Sequence, residues 1–439
     1  MTSLRVSLLL LAWFSAILQI VFGQSVEMFS NIGAVLLGLF LLIILPRLKW
    51  DSYLILIMLG VMGWFLLNGL PTQELLFSGG RFILIFVALI ATMTLSKATA
   101  STMPSVRLTQ RNLALLTPEA SSAGLQIAGH VFGGIINTGS FAVLSAALPR
   151  NSDDHRRKLA AEAALRGMVT SAVWSPFFVA FAVGEGFVGT TYAWIAIAIG
   201  LVTSIIFTLI CCYVFSPQFS WNTIRASLAC LTPISMRVII VLTTVLGFAL
   251  VFNLTALSAV VISMPILVCV QFLRHPGNIR RIITSTHDGL ALISDDLIII
   301  SGAMFIGYIA INTDGLEQMG LIGEHSIYPG WVALISTPVV MMLASVVGIH
   351  PVISSTVMLA LFSYGGASVH PALLMHSHLI GWGAGTMSSV ASLSVITCAR
   401  LYRVKSTSLA LGHNMIVAFL FALLGGGILS LLNMLIYNP

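Results

Sequence analysis

Charged side chains are scarce. Among 439 residues there are 20 Lys and Arg and 14 Asp and Glu, or 8% of the chain. Soluble domains carry roughly 25%, so water cannot be the solvent for most of this surface. Cysteine is also sparse: Cys211, Cys212, Cys230, Cys269 and Cys398 show no CxxC spacing and mostly lie in apolar runs, where they read as small packing residues. No HExxH, Walker A or GxSxG pattern occurs, so nothing points to an enzyme or a self-contained ATP-driven pump. What remains is apolar: 58% of the residues are hydrophobic, in long continuous runs such as TYAWIAIAIGLVTSIIFTLICCYVF. Barrel strands would alternate over about ten residues. Continuous runs of about 20 indicate membrane-spanning helices.

The sequence thus predicts an all-α polytopic membrane protein. Spans are expected at 7–23, 28–46, 53–70, 80–97, 160–187, 192–215, 236–253, 255–273, 289–311, 377–400 and 411–436. The first, preceded by Arg5, lacks a small-x-small cleavage site and reads as a retained helix rather than a signal peptide. Arg47, Lys49, Lys97, Arg107 and Arg111 alternate with Glu27 and Glu74, which places the N-terminus in the cytoplasm; Arg81, at the outer start of the fourth span, is the exception. The net charge of +6 therefore reports orientation and gives no reason to expect nucleic acid.

Two further apolar stretches, 117–148 and 329–364, upset this count if each crosses once. Arg156, Arg157 and Lys158 would then fall outside. Treated as re-entrant hairpins, entering from the cytoplasm and from outside respectively, they leave the basic clusters cytoplasmic, including Arg274, Arg280, Arg281, Arg400, Arg403 and Lys405. Asp314, Glu317 and Glu324 fall outside, as does the C-terminus. Turns are expected at Gly133-Gly134 with Asn137-Thr138-Gly139, and at Gly348-Ile349-His350-Pro351. The expected fold is about 11 transmembrane helices plus two re-entrant hairpins in two inverted repeats. An extra helix occupies 1–27, the first repeat 28–215, a connecting segment 216–235 and the second repeat 236–439. Each repeat has three spans, a hairpin and two spans. Short polar arms at 103–120, with the amphipathic VRLTQRNLALL, and 313–328 precede the hairpins.

The span after each hairpin is interrupted. The first carries Trp174-Ser175-Pro176, and proline removes a helical hydrogen bond. The second carries Gly381, Gly383 and Gly385, then Thr386, Ser388 and Ser389. Irregular backbone survives at membrane depth only inside protein or around a wet cavity, where free N–H ends attract anions and free carbonyls coordinate cations. The expected substrate-binding residues are Asn137, Thr138, Gly139, Ser140, Ser354, Ser355, Thr356, Trp174, Ser175, Pro176, Thr386 and Ser388. Arg166 is a further candidate for holding an anion, or pairs with Glu162 at i, i+4. Expected coupling-ion positions are Gly134, Asn137, Ser175, Gly383, Gly385, Ser389, Asp295, Asp296 and His350. Asp295 and Asp296 lie about two turns into the ninth span and either relay a cation or pair with Arg280 or Arg281. His370, His376 and His378 read as an external loop cluster, and His130 as a packed hairpin residue. For any one Ser, Thr or Gly, simple helix packing is the better explanation; the symmetric constellation favours a site.

On these tips and breaks the chain resembles the ion transporter superfamily, and within it the divalent anion/sodium symporter branch. Asn137-Thr138 and Ser354-Ser355-Thr356 are similar to that family's Ser-Asn-Thr tips, with Ile136 and Ser355 as departures. Where that family has a Thr-x-Pro helix break, the first break here reads Trp174-Ser175-Pro176 and the second has no proline. The resemblance implies a homodimeric elevator-type secondary transporter; the compact loops, with no extramembrane domain between the spans, hint at a bacterial inner membrane. The first four spans and spans seven to nine would form its scaffold. It would move a small anion, a carboxylate or oxyanion, by coupling to a sodium ion or proton, and needs no other cofactor. The competing readings are a cation-coupled exchanger using Asp295 and Asp296, and a non-transport component of envelope or polymer assembly.

Overall fold

The computed structural model describes residues 2–23, 27–149, 151–216, 219–318, 328–364 and 367–437. Among them the regular structure is helical. In chain order the helices are α1 Thr2–Phe22, α2 Glu27–Ile44, α3 Trp50–Leu67, α4 Gln73–Ala100, α5 Pro104–Ala114, α6 Pro118–Ile136 and α7 Gly139–Ser145. There follow α8 Asp154–Ser171, α9 Val179–Val188, α10 Thr190–Phe215, α11 Trp221–Val251, α12 Ala256–Arg274, α13 Ile279–Leu292 and α14 Ser294–Asn312. The last are α15 Gly315–Gln318, α16 Gly330–Val346, α17 Pro351–Tyr364, α18 Pro371–Ser388, α19 Leu393–Tyr402, α20 Ser406–Ala410 and α21 His413–Ile436. Among the described residues eight helices are long and apolar enough to cross a bilayer, or nine if the bent pair α18–α19 counts as one span. The protein is a helical integral membrane protein.

The chain divides into two compact units, each assembled from two separated stretches. Unit 1 is Met1–Thr102 with Thr243–Ser326, and unit 2 is Met103–Leu242 with Ile327–Pro439. Unit 1 is organised on α4, which packs against α1, α2, α12, α13 and α14. In unit 2, α6 packs along α8, and α16 and α21 pack along α18. These contacts are close because the facing residues are small. A Cβ on Gly167 would lie 2.0 Å from the Gln126 carbonyl, and one on Gly133 2.7 Å from the Met168 Cα. Small faces of this kind let membrane helices approach each other's backbones.

Three segments differ from the expectation. The connector at 216–235 is the first half of α11, continuous with the expected span at 236–253; residues 217–218 lie outside the described residues. Its polar residues disguise a helix whose buried positions, Ile224, Ser227, Cys230, Leu231 and Ile234, share one face. The span expected at 289–311 starts instead at Ser294, after the amphipathic α13, which buries Ile282, Thr286 and Leu290. The fourth span begins at Gln73, so Arg81 lies within α4 rather than at its start. Of the arm expected at 313–328, residues 319–327 with Glu324 lie outside the described residues.

Candidate functional site

Unit 2 holds most of the expected site. Helices α6 and α7 turn at Asn137-Thr138, and α16 and α17 turn at Val347–His350. Asn137 adopts φ 49° and ψ −130°, a positive-φ conformation outside the left-handed helical region that glycine adopts far more readily than other residues. The first interruption runs from Ala172 to Phe178, between α8 and α9, and includes Trp174, Ser175 and Pro176 as expected. The second does not fall at the glycines. Gly381, Gly383, Gly385, Thr386 and Ser388 are all helical, and the chain bends by 42° only at Ser389–Ser392. Gly381 and Gly385 serve packing instead: a Cβ would lie 2.8 Å from the Pro338 Cα and 2.5 Å from the Ser345 hydroxyl. Three glycines reduce helix propensity by about 1 kcal/mol each, which tight burial in unit 2 overrides.

The interrupted helices and the short arms pack crosswise. The arm α7 contacts α8 and also α19, while α17 contacts α18 and also α9. Each turn is therefore flanked by parts of both interrupted helices. Ser175 fixes the first turn. Its hydroxyl donates to the Gly134 carbonyl at 2.5 Å and accepts the Phe177 N–H at 3.2 Å. The Trp174 indole N–H donates to His130 Nε2 at 3.1 Å, which leaves the proton of a neutral His130 on Nδ1, facing the Thr170 hydroxyl at 3.3 Å. His130 is thus a positioning residue for Trp174, whose ring closes over Gly134: a Cβ there would lie 2.5 Å from the ring.

The second turn is held by a residue assigned to a loop from the sequence alone. His378 is fully buried inside α18. Its Nε2 lies 2.8 Å from the Ala180 carbonyl, which can only accept. In the neutral ring Nδ1 is then an acceptor, and the Ser355 hydroxyl donates to it at 2.9 Å. One side chain thereby joins α17, α18 and α9. His350 caps the start of α17 by accepting the Val352 N–H at 3.2 Å, and the rings of His350 and His378 both stand edge-on to Trp382, with centroids 6.2 and 6.0 Å away. His376 meets Thr203 at 2.9 Å, and His370 caps α18 through the Ala372 N–H. The three histidines have separate partners and form no cluster. Just before the histidines, residues 365–366 lie outside the described residues.

Several polar groups around the turns are unmatched. Asn137 and Thr138 are half-buried, and their side chains have no hydrogen-bond partner among the described residues. The buried hydroxyls of Ser140 and Thr356 likewise have none there. Ser354 bonds only its own helix, to the Pro351 carbonyl at 3.3 Å. Gly139 opens α7 and Ser389 begins the second interruption. Buried polar groups are ordinarily paired, so the side chains of Asn137, Thr138, Ser140 and Thr356 have polar atoms free to receive a ligand.

Arg166 is buried, but not against Glu162. It donates to Gln126 Oε1 at 3.2 Å and Asn414 Oδ1 at 2.8 Å, with its guanidinium carbon 4.3 Å from the Phe215 ring centroid. Glu162 faces Lys158 and His413, each at 3.8 Å. The remaining candidates are Asp295 and Asp296. They belong to unit 1, in the first turn of α14 rather than two turns into a span. Asp295 accepts from the Lys49 N–H and the Ser52 hydroxyl, both at 3.4 Å, and pairs with neither Arg280 nor Arg281. The sequence missed His378 because three histidines within nine residues suggest a loop; helical phase alone would have separated them. No known family model matches the chain, and no curated protein matches it.

Proposed function

We propose that the protein is a secondary transporter for a small anion, a carboxylate or oxyanion, working by elevator-type alternating access. The observation that carries this reading is the crosswise packing of two helix–turn–helix elements with two interrupted helices, leaving unmatched hydroxyls and an amide at the turns. The elements occur in the same order twice along the chain. On this reading α6–α7 and α16–α17 are re-entrant hairpins, α8–α9 and α18–α19 are broken spans, and the whole forms two inverted repeats with about 11 crossings. The layout is that of the ion transporter superfamily.

Unit 2 carries the site and moves with its cargo. Unit 1 is made of the stretches that the resemblance assigns to the scaffold, and it supplies a homodimer contact. The turn groups Asn137, Thr138, Ser140 and Thr356 bind the substrate together with a sodium ion or proton. The scarcity of acidic side chains at the turns favours an anion over a cation as cargo. Asp295 accepts hydrogen bonds that hold it within unit 1, so the reading does not use it as an exchanger carboxylate. The membrane is a bacterial inner membrane with the N-terminus cytoplasmic.

Uptake into proteoliposomes tests this. A panel of small carboxylates and oxyanions is offered under an imposed sodium or proton gradient. One anion should accumulate, and Asn137→Ala should abolish its uptake while the purified protein keeps its unfolding temperature. Absence of accumulation across the panel, or normal uptake by Asn137→Ala, would sink the reading.

A further inference from the structure

Unit 1 contains a polar cavity of about 320 Å³, lined by Gln19, Glu27, Ser30, Ser78, Arg81 and Tyr308. That volume lies at the lower end of ligand-binding clefts, roughly 300–1,000 Å³. Arg81 is eight residues into α4, or about 12 Å along its axis at 1.5 Å per residue. An arginine inside a spanning helix faces a partner, a cavity or the headgroup layer, because lipid tails do not solvate its charge. Here its one side-chain hydrogen bond among the described residues is a 3.5 Å contact to the Ser78 hydroxyl, and it has no ion pair there. Glu27 lines the same cavity and is not paired with Arg81. The side chains of Gln19 and Tyr308 have no hydrogen-bond partner among the described residues, and the Tyr308 ring is held against Phe82, with centroids 5.3 Å apart.

A cation and an anion that line one cavity without neutralising each other suit a ligand with both charges. A second feature says what carries them. The same helices α2, α4 and α14 line an apolar groove of about 590 Å³, which includes Ala34, Leu41, Phe77, Gly80 and Phe305. Ser30 and Ala34 are one turn apart on α2, Gly80 and Arg81 are adjacent on α4, and Phe305 and Tyr308 are three residues apart on α14. Charged cavity and apolar groove are thus carried by neighbouring residues on three shared helices. We propose that this is a binding site for a zwitterionic phospholipid of the phosphatidylethanolamine type. The phosphate meets Arg81, the ammonium meets Glu27, and an acyl chain occupies the groove. The site is independent of the transport reading, and its test does not use uptake.

The experiment is native mass spectrometry of the purified full-length protein, released from detergent with equal amounts of phosphatidylethanolamine and phosphatidylglycerol. The wild type should retain phosphatidylethanolamine preferentially. Arg81→Gln should lower retention of both lipids about tenfold, as expected for a charge-assisted contact. Arg81→Lys should restore most of it, and circular dichroism checks that all variants fold. Glu27→Gln should keep lipid binding but lose the preference for phosphatidylethanolamine. Equal retention by wild type and Arg81→Gln would overturn the proposal. So would an undiminished preference in Glu27→Gln. Inorganic phosphate at millimolar concentration should not displace the lipid; displacement would assign the cavity to free phosphate and refute the lipid site.

Discussion

His378 shows how one buried side chain can set the shape of a turn on another helix. It accepts from Ser355 and donates to the Ala180 carbonyl, so its loss leaves the Ser355 hydroxyl unpaired, removes the second bond of a helical carbonyl and opens a cavity among α9, α17 and α18. An unpaired buried polar group costs about 1–3 kcal/mol. His378→Ala should therefore lower the thermal unfolding temperature in detergent more than Ser355→Ala, which strands one acceptor. The double variant should be less destabilised than the sum, with a coupling of about 1 kcal/mol. Strict additivity would mean that the Ser355–His378 bond is not formed in the folded protein. Ser175 permits a similar argument, since it serves the Gly134 carbonyl and the Phe177 N–H at once. Ser175→Ala should destabilise by about 1–3 kcal/mol, whereas Ser175→Thr, which keeps the hydroxyl, should cost less; the unfolding midpoint decides between them. The turn residues themselves were legible in the sequence, because Asn137-Thr138-Gly139 and Gly348-Ile349-His350-Pro351 combine turn formers with a break in apolar pattern. Their partners were not. Arg166 has a carboxylate at i−4, yet the fold supplies Asn414, 248 positions away, and Gln126. No local rule anticipates that exchange.

At the scale of helices, close backbone approach matters more than propensity. Gly167 lies where α8 meets α6, and any side chain there collides with the Gln126 backbone. Gly167→Leu should cost at least the roughly 1–3 kcal/mol of ordinary overpacking and reduce the yield of monodisperse protein. Gly247 on α11 has open space around a would-be Cβ, so Gly247→Leu should leave the size-exclusion profile unchanged. Equal behaviour of the two variants would show that α6 and α8 are not packed as described. The same physics explains which element boundaries could be read in advance. Pro176 marked the first interruption correctly, because proline cannot complete the helical hydrogen bond. Glycine marked the second one wrongly: Gly381 and Gly385 remain helical where Pro338 and Ser345 fill the space beside them. The polar start of α11 was read as a connector because Asn222, Thr223, Arg225, Thr232 and Ser235 interrupt the apolar run and hide the buried face of Ile224, Leu231 and Ile234.

At the scale of the whole chain, composition fixed the solvent and helical class, while loop charge set an expected sidedness. The division into two units, each drawn from two separated stretches, comes from long-range packing that apolar run lengths do not encode. Sidedness carries the final prediction. Helix α6 has 19 residues but α7 only seven before the chain becomes irregular. Seven helical residues rise about 10 Å, a third of the hydrocarbon core. The α6–α7 pair would then enter and leave on one side, keeping Arg156, Arg157 and Lys158 with the other basic clusters in the cytoplasm. In a background with Cys211, Cys212, Cys230, Cys269 and Cys398 replaced, Asn151→Cys should react with a membrane-impermeant maleimide only from the cytoplasmic face of inverted vesicles. Pro329→Cys, at the exposed start of α16, should react only in intact cells. Labelling of Asn151→Cys from outside would make α6–α7 a single crossing. The two helix–turn–helix elements would then no longer enter from opposite faces, and the inverted repeat, with the site at its centre, would fall with them.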